Sequence, residues 1–270
     1  MKFAVIGHPI DHSLSPLMHH ANFKSLNLDY DYEALNIPPT HFEHIRDIIS
    51  EKELDGFNVT IPHKERIINY LDDMSDEARA IGAVNTVKVE NGKWMGYNTD
   101  GTGFVKGLQV KYGDLTGAHI LILGAGGASK GIAYALSQVS DKRIAVANRT
   151  MSRFNDWQLQ IQPHSLEDVA SIAHQFDIII NTTPLGMHQS QDSVMSFAQL
   201  KADVLVCDII YIPFQTTFLK EAAEKEFSTY NGLDMFIYQG AESFKIWTGL
   251  ESDITTMRNA VLNKLNPTTT

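Results

Sequence analysis

Two sets of residues carry types and spacings that could do chemistry. The first lies in GAGGASKGIAYAL, where Gly124 and Gly126 occupy the first two glycine positions of a G-x-G-x-x-G pattern, after the apolar run HILIL and before helical periodicity. Glycines there let a backbone approach a pyrophosphate, and the helix behind them offers free N–H groups and the positive end of its dipole. The third position holds Ser129. Ala128 and Ser129 are still small, so close helix packing stays open. The next apolar strand ends in Asn148-Arg149-Thr150, with Arg153 one turn later. An NAD site would carry a carboxylate there for the ribose 2′-hydroxyl. Arginine instead pairs with a 2′-phosphate, so the pattern favours NADP. The bland alternatives are a glycine turn that binds nothing and two solvated arginines.

The second set lies nearer the N-terminus. Ser13 and Ser15 flank Leu14 before a helix that Pro16 would open, and two hydroxyls at a helix start suit a carboxylate. Ser15 could equally be a plain N-cap. Asn58, Thr60 and Lys64 surround the end of the strand GFNVT, and strand ends are where ligands bind in open α/β sheets. Asn85 sits in an uncharged run where a buried amide needs partners. Asp100 opens a helix, where capping is the modest reading. Alcohol–ketone hydride transfer needs a group that gives the oxygen its proton as negative charge develops. A lysine beside a carboxylate does both jobs, but spacing alone does not pair Lys64 with Asp100. These residues predict a small anionic polyol reduced with NADPH, and they do not name its ring.

Both sets need a scaffold. Apolar strand-like runs alternate with helical periodicity, the signature of an α/β chain with parallel strands. FAVIG, YDYEALNI and GFNVT read as strands, and AVNTVKVENGKWMGYN as a hairpin turning at Asn91-Gly92. Leu17, Ala21 and Leu28 are spaced for one face of the first helix. Beyond His119, HILIL, RIAVANRT, FDIIINTTP and DVLVCDIIY read as strands separated by helices over MSRFNDWQLQ, SLEDVASIA and TTFLKEAAEK, the order of a doubly wound sheet. NTTPLGMH (181–188) reads as a mobile loop at a strand end, residues 233–265 as two helices and the final PTTT as frayed.

The chain of 270 residues corresponds to about two domains. Its net charge of −10 argues against nucleic-acid and anionic-membrane surfaces as partners. Cys207 is the sole cysteine, which excludes an internal disulfide, and no run approaches a signal-peptide core or membrane span. A cytoplasmic location is expected. His19-His20 and His41-x-x-His44 lack metal-ligand spacing, so no metal is expected.

HPIDHSLSPLMHHANF, DGFNVTIPHKE, IGAVNTV, GYNTDGTGF, GAGGASKGIAYAL, NRTMSR and NTTPLGM together, in this order, resemble the motifs of the shikimate dehydrogenase family, from His8 to about Gln239. The resemblance implies a two-domain α/β protein with a cleft between its domains. Residues 1–101 and 238–270 would form a substrate-binding domain, and residues 102–237 a Rossmann-like NADP domain. It implies reversible NADPH-dependent reduction of 3-dehydroshikimate to shikimate, with Lys64 and Asp100 as the catalytic pair. Ser13 and Ser15 would hold the substrate carboxylate. Asn58, Thr60, Asn85 and Gln239 would serve its ring side, and Tyr211 would add a contact near the carboxylate. Gly124, Ala125, Gly126, Gly127, Ala128, Asn148, Arg149, Thr150, Arg153, Ile209 and Gly232 would contact NADP. The implied partner is a small-molecule substrate, with the chain a monomer or homodimer. The alternatives are a broader quinate/shikimate dehydrogenase that uses NAD, and a non-catalytic ligand-binding regulator on the same fold.

Overall fold

The structure is a computed structural model that describes residues 1–188 and 193–265, with only the backbone of residue 188. The chain divides into two compact units, Met1–Thr99 with the segment from Ile237 on, and Asp100–Phe236.

The first unit begins with β1 (Lys2–Gly7), α1 (Ser15–Ser25), β2 (Asp31–Asn36), α2 (Ile45–Glu51), β3 (Gly56–Val59), β4 (Asp73–Met74), α3 (Asp76–Ile81), β5 (Thr86–Glu90) and β6 (Lys93–Tyr97). The sheet order is β2-β1-β3-β5-β6-β4. β1 lies parallel to β2 and β3, whereas β5 is antiparallel to both β3 and β6. β1 is apolar on both faces because both are covered. Ala4 and Ile6 enter one core with Phe42, Ile45, Phe57 and Trp94; Phe3 and Val5 enter another with Phe23, Tyr32, Phe244 and Trp247. The β5–β6 hairpin turns at Asn91 (φ 52°) and Gly92 (φ 74°), the paired positive dihedrals of a type I′ turn.

The second unit holds α4 (Asp100–Tyr112), β7 (Ile120–Leu123), α5 (Gly127–Ser137), β8 (Ala145–Asn148), β9 (Gln162–Ser165), α6 (Val169–Ile172), β10 (Ile178–Asn181), β11 (Leu185–His188), β12 (Leu205–Asp208), α7 (Thr217–Glu224) and β13 (Ser228–Tyr230). Six strands pair in the order β13-β12-β10-β7-β8-β9, every pair parallel. Counting along this unit, the order runs outward from the first strand in both directions, the doubly wound arrangement. α8 (Leu233–Thr248) carries the boundary back into the first unit, which ends with α9 (Ile254–Leu265).

The structure corrects several local expectations. α1 buries Ser15, Met18, His19, Asn22 and Phe23, while Leu17 is 39% exposed. The leucine spacing therefore pointed to the wrong face. Ser15 is inside the helix rather than its cap; its N–H donates to Ser13 Oγ at 3.3 Å. MSRFNDWQLQ forms only a 3-10 turn at Met151–Phe154, and SLEDVASIA a 3-10 turn followed by the short α6. β9 and β13 escape the sequence pattern because they are sheet edges. QPHS and STY need no apolar alternation there, and Pro163 is tolerated on an edge. β11 confines the stretch read as a mobile loop to residues 182–184. The final PTTT lies outside the described residues.

Candidate active site

In the first unit, Thr60 and Asn85 stand at strand ends, Asn58 lies in β3, Gln239 in α8, and Ser13 and Ser15 at the start of α1. Thr60 follows β3, and its N–H donates to the Ile6 carbonyl at 2.9 Å. A Cβ on Gly7 would come within 2.5 Å of the Thr60 methyl, so glycine is what lets Thr60 lie across the end of β1. The Lys64 carbonyl accepts from Val84 N at 2.8 Å, which ties the lysine segment to the strand entrance that carries Asn85.

Asn58, Asn85 and Gln239 belong to one buried network of neutral groups. Tyr32 donates its hydroxyl to Asn58 Oδ1 at 2.7 Å. Asn58 Nδ2 lies within 3.1 Å of the Asn85 carbonyl and Thr86 Oγ1, and 2.9 Å from Ser243 Oγ. Asn85 Oδ1 accepts from Thr86 Oγ1 (2.9 Å) and Thr99 N (2.8 Å), while its Nδ2 donates to Thr99 Oγ1 (3.0 Å) and reaches Gln239 Oε1 (3.4 Å). Thr99 and Ser243 donate to the Gln239 carbonyl at 3.0 and 2.9 Å. The network fixes amide orientations before any ligand arrives, because each amide oxygen and nitrogen has its own partner.

Sequence reasoning missed Tyr32, Thr86, Thr99 and Ser243 here. Thr86 and Thr99 were adjacent to singled-out residues; Ser243 carried no local signal. Tyr32 also bonds Ser15, and burial raises its pKa well above the ordinary tyrosine value. His19 stacks on Tyr32 with ring centroids 4.3 Å apart and 10° between planes. Both nitrogens of the His19 ring are buried without a hydrogen-bond partner among the described residues, and burial lowers its pKa to about 3, so the ring is neutral.

In the second unit, Asp100 is the first residue of α4 and is 8% exposed. Gly101 brings α4 close to α5, since a Cβ there would lie 2.1 Å from the Gly131 carbonyl. The dinucleotide turn follows β7. Gly124 has φ +111°, and a Cβ would meet Thr182 Oγ1 at 2.7 Å. Gly126 and Gly127 have open space where a side chain would begin. Ala125 and Ala128 complete the turn, and the first N–H groups of α5 have no intrahelical acceptor by geometry. Ser129 is not merely a small replacement for glycine. Its hydroxyl accepts from Gly126 N at 3.2 Å and lies 2.6 Å from Thr182 Oγ1, which donates to the Leu123 carbonyl at 2.7 Å.

At the end of β8, Asn148 Nδ2 donates to the Thr150 carbonyl at 2.9 Å, which closes the turn beyond the strand. Arg149 and Arg153 are exposed, and neither side chain has a partner among the described residues. Open glycines, a helix start and two available guanidiniums fit a dinucleotide with a 2′-phosphate. Ile209 and Gly232 meet directly: a Cβ on Gly232 would lie 1.8 Å from the Ile209 carbonyl. Tyr211 stacks on Phe236 at 4.8 Å, and burial pushes its pKa up to about 12. Among the described residues, no group of three or more His, Cys, Asp or Glu could hold a metal ion, and no helix is long and apolar enough to cross a membrane.

A doubly wound unit with this turn, together in one chain with a mixed-sheet unit carrying a neutral polar site, defines a two-unit α/β protein of the dinucleotide-binding class. Residues 5–87 match the family described as shikimate dehydrogenase substrate binding domain, 107–211 shikimate / quinate 5-dehydrogenase, and 232–262 the shikimate 5'-dehydrogenase C-terminal domain. The chain is 60% identical over 265 residues to shikimate dehydrogenase (NADP(+)) of Staphylococcus epidermidis, covering 98% of each. A shikimate dehydrogenase solved with NADP+ superposes with a TM-score of 0.90 at 40% identity, covering 98% of this chain and 96% of the other. The Thermus thermophilus enzyme in complex with NADP(H) and shikimate gives 0.88 at 34% identity, covering 97% and 99%. This chain belongs to the shikimate dehydrogenase family.

Proposed function

We propose that this chain is an NADP-dependent oxidoreductase that reversibly reduces 3-dehydroshikimate to shikimate, a step towards aromatic amino acids. The observation that carries the reading is 60% identity to an NADP(+) shikimate dehydrogenase over 98% of the chain, with two exposed arginines at the end of β8. Residues 1–101 and 238–270 take the substrate, and residues 102–237 take NADP. When bound, NADPH supplies the hydride.

Lys64 gives a proton to the substrate oxygen as negative charge develops there, and its ammonium stabilises that charge until transfer is complete. Asp100 orients the same hydroxyl and the lysine. Ser13 and Ser15 hold the carboxylate through neutral hydrogen bonds, and Tyr211 adds a contact near it. Asn58, Thr60, Asn85 and Gln239 recognise the ring hydroxyls. The Asn85 amide suits this role because its partners fix which end donates and which accepts. Gly124, Ala125, Gly126, Gly127 and Ala128 receive the pyrophosphate. Asn148, Arg149, Thr150 and Arg153 take the 2′-phosphate end, and Ile209 and Gly232 the nicotinamide end. The enzyme works in the cytoplasm on a small molecule, as a monomer or homodimer, without nucleic-acid or membrane partners and without a metal.

Steady-state assay at the nicotinamide absorbance band tests the reading. NADPH with 3-dehydroshikimate, and NADP with shikimate, should give far higher kcat/KM than NADH or quinate. A higher kcat/KM for quinate with NAD would overturn the substrate and cofactor assignment, and ligand binding without turnover would make the chain a regulator.

A further inference from the structure

The carboxyl ends of β10 and β12 share a charged group that no role above uses. The Asp208 side chain is fully buried, and no ion pair reaches it among the described residues. Its carboxylate accepts from Asn181 Nδ2 at 3.1 Å, Thr216 Oγ1 at 2.8 Å and Ile210 N at 3.0 Å. These donors come from the end of β10, the start of α7 and the segment after β12. A carboxylate can accept on two oxygens at once, whereas an amide offers one acceptor oxygen. Burying such a charge without a cation is unfavourable, and burial pushes its pKa to about 6.

What the charge organises is backbone. Asn181 Oδ1 accepts from Thr183 N (3.0 Å) and Thr183 Oγ1 (2.7 Å), and its Nδ2 also reaches the Leu185 carbonyl (3.3 Å). The loop at 182–185 and the segment at 209–216 are therefore tied to one carboxylate. Thr182 links the first loop to Ser129 of the glycine turn, and Ile209 in the second packs its carbonyl on Gly232. In a doubly wound sheet the dinucleotide lies across the carboxyl ends, one mononucleotide on each half. Arg149 marks the β7–β8–β9 half as the adenosine side, which leaves the β10–β12–β13 half for the nicotinamide mononucleotide.

We infer that Asp208 is a positioning residue: it holds the two loops that receive the nicotinamide half of NADPH, and it does not touch the reacting atoms. The inference rests on the reading that the chain binds NADPH. Asp208→Asn tests it, because the variant keeps the shape but turns an acceptor into an amide facing Asn181 Nδ2 and Thr216. Adenosine 2′,5′-bisphosphate, which carries only the adenosine half, should bind Asp208→Asn within about twofold of wild type by calorimetry. NADPH affinity and kcat should each fall about tenfold or more. Thr216→Val should shift both in the same direction by less, and Thr216→Ser should restore them.

Wild-type NADPH affinity and kcat in Asp208→Asn would overturn the inference. Equal losses for the fragment and NADPH would also overturn it, because they would make Asp208 a general stabiliser of the fold. Should Asp208→Asn not fold, the Thr216→Val and Thr216→Ser pair decides by the same criteria. Wild-type protein that binds neither NADPH nor the fragment would overturn the cofactor reading beneath it.

Discussion

The two units present the polar groups proposed to meet ligands in opposite ways. In the first, amides and hydroxyls of Asn58, Asn85, Thr86, Thr99 and Ser243 are buried and bonded to one another. In the second, the proposed phosphate ligands Arg149 and Arg153 stand exposed, and Gly126 and Gly127 have open space where a side chain would begin. Ring hydroxyls are distinguished by direction, so their partners benefit from amides locked in place by neighbours. A phosphate carries charge, and a guanidinium kept hydrated until it meets that charge avoids a desolvation penalty in the free protein.

Lys64→Ala gives the largest break in this contrast, because the neutral cluster is proposed to serve a single charged donor. We expect kcat to fall about 10³-fold with little change in substrate KM. Steady-state kinetics with saturating NADPH checks it; a rise in KM at unchanged kcat would leave Lys64 a binding group only. Arg149→Ala comes next. NADPH KM should rise roughly 10- to 100-fold while NADH KM stays within about twofold. Equal losses for both cofactors would place the effect in the fold and remove the 2′-phosphate argument.

The smallest effect sharpens the buried side. His19 has a folded-state pKa near 3, below its ordinary value of 6.5, so the unfolded chain takes up its proton first. Its contribution to stability is complete above pH 6.5 and is lost as pH falls towards 3. His19→Phe removes this titration. Between pH 6.5 and 4 wild type should lose up to about 3 kcal/mol more stability than the variant, measured by urea melts at each pH. Parallel pH profiles would show that His19 is not buried neutral behind Tyr32.

Legibility followed the range over which each feature is determined. Gly124, Gly126, Asn91 and Gly92 could be read because turn chemistry is local. β7, β8, β10 and β12 could be read because strands covered on both faces are apolar, here up to the polar residue that ends β8, β10 and β12. β9 and β13 could not, since an edge strand is chosen by its neighbour's open hydrogen bonds more than by its own side chains. α1 misled because His19 and Asn22, polar residues, face inward while Leu17 faces out. Ser129 was read only as a small residue, although its hydroxyl bonds the turn it follows.

Sequence alone determined the class of fold, the position of the glycine turn, the arginines after the second strand of that unit and the order of the family's motifs. The turn and the arginines depend on residues within one turn or one strand of each other, and the fold class and motif order on the succession of such local signals along the chain. Tertiary structure decided the rest: that Tyr32, Asn58, Asn85, Gln239 and Ser243 share one network, and that Asp208 gathers donors from three segments. Hydrogen-bond partners 185 residues apart, as Asn58 and Ser243 are, leave no mark on the spacing along the chain. They meet only because burying the apolar faces of the sheets brings their strand ends and helices together, and a buried polar group must then find its partner there.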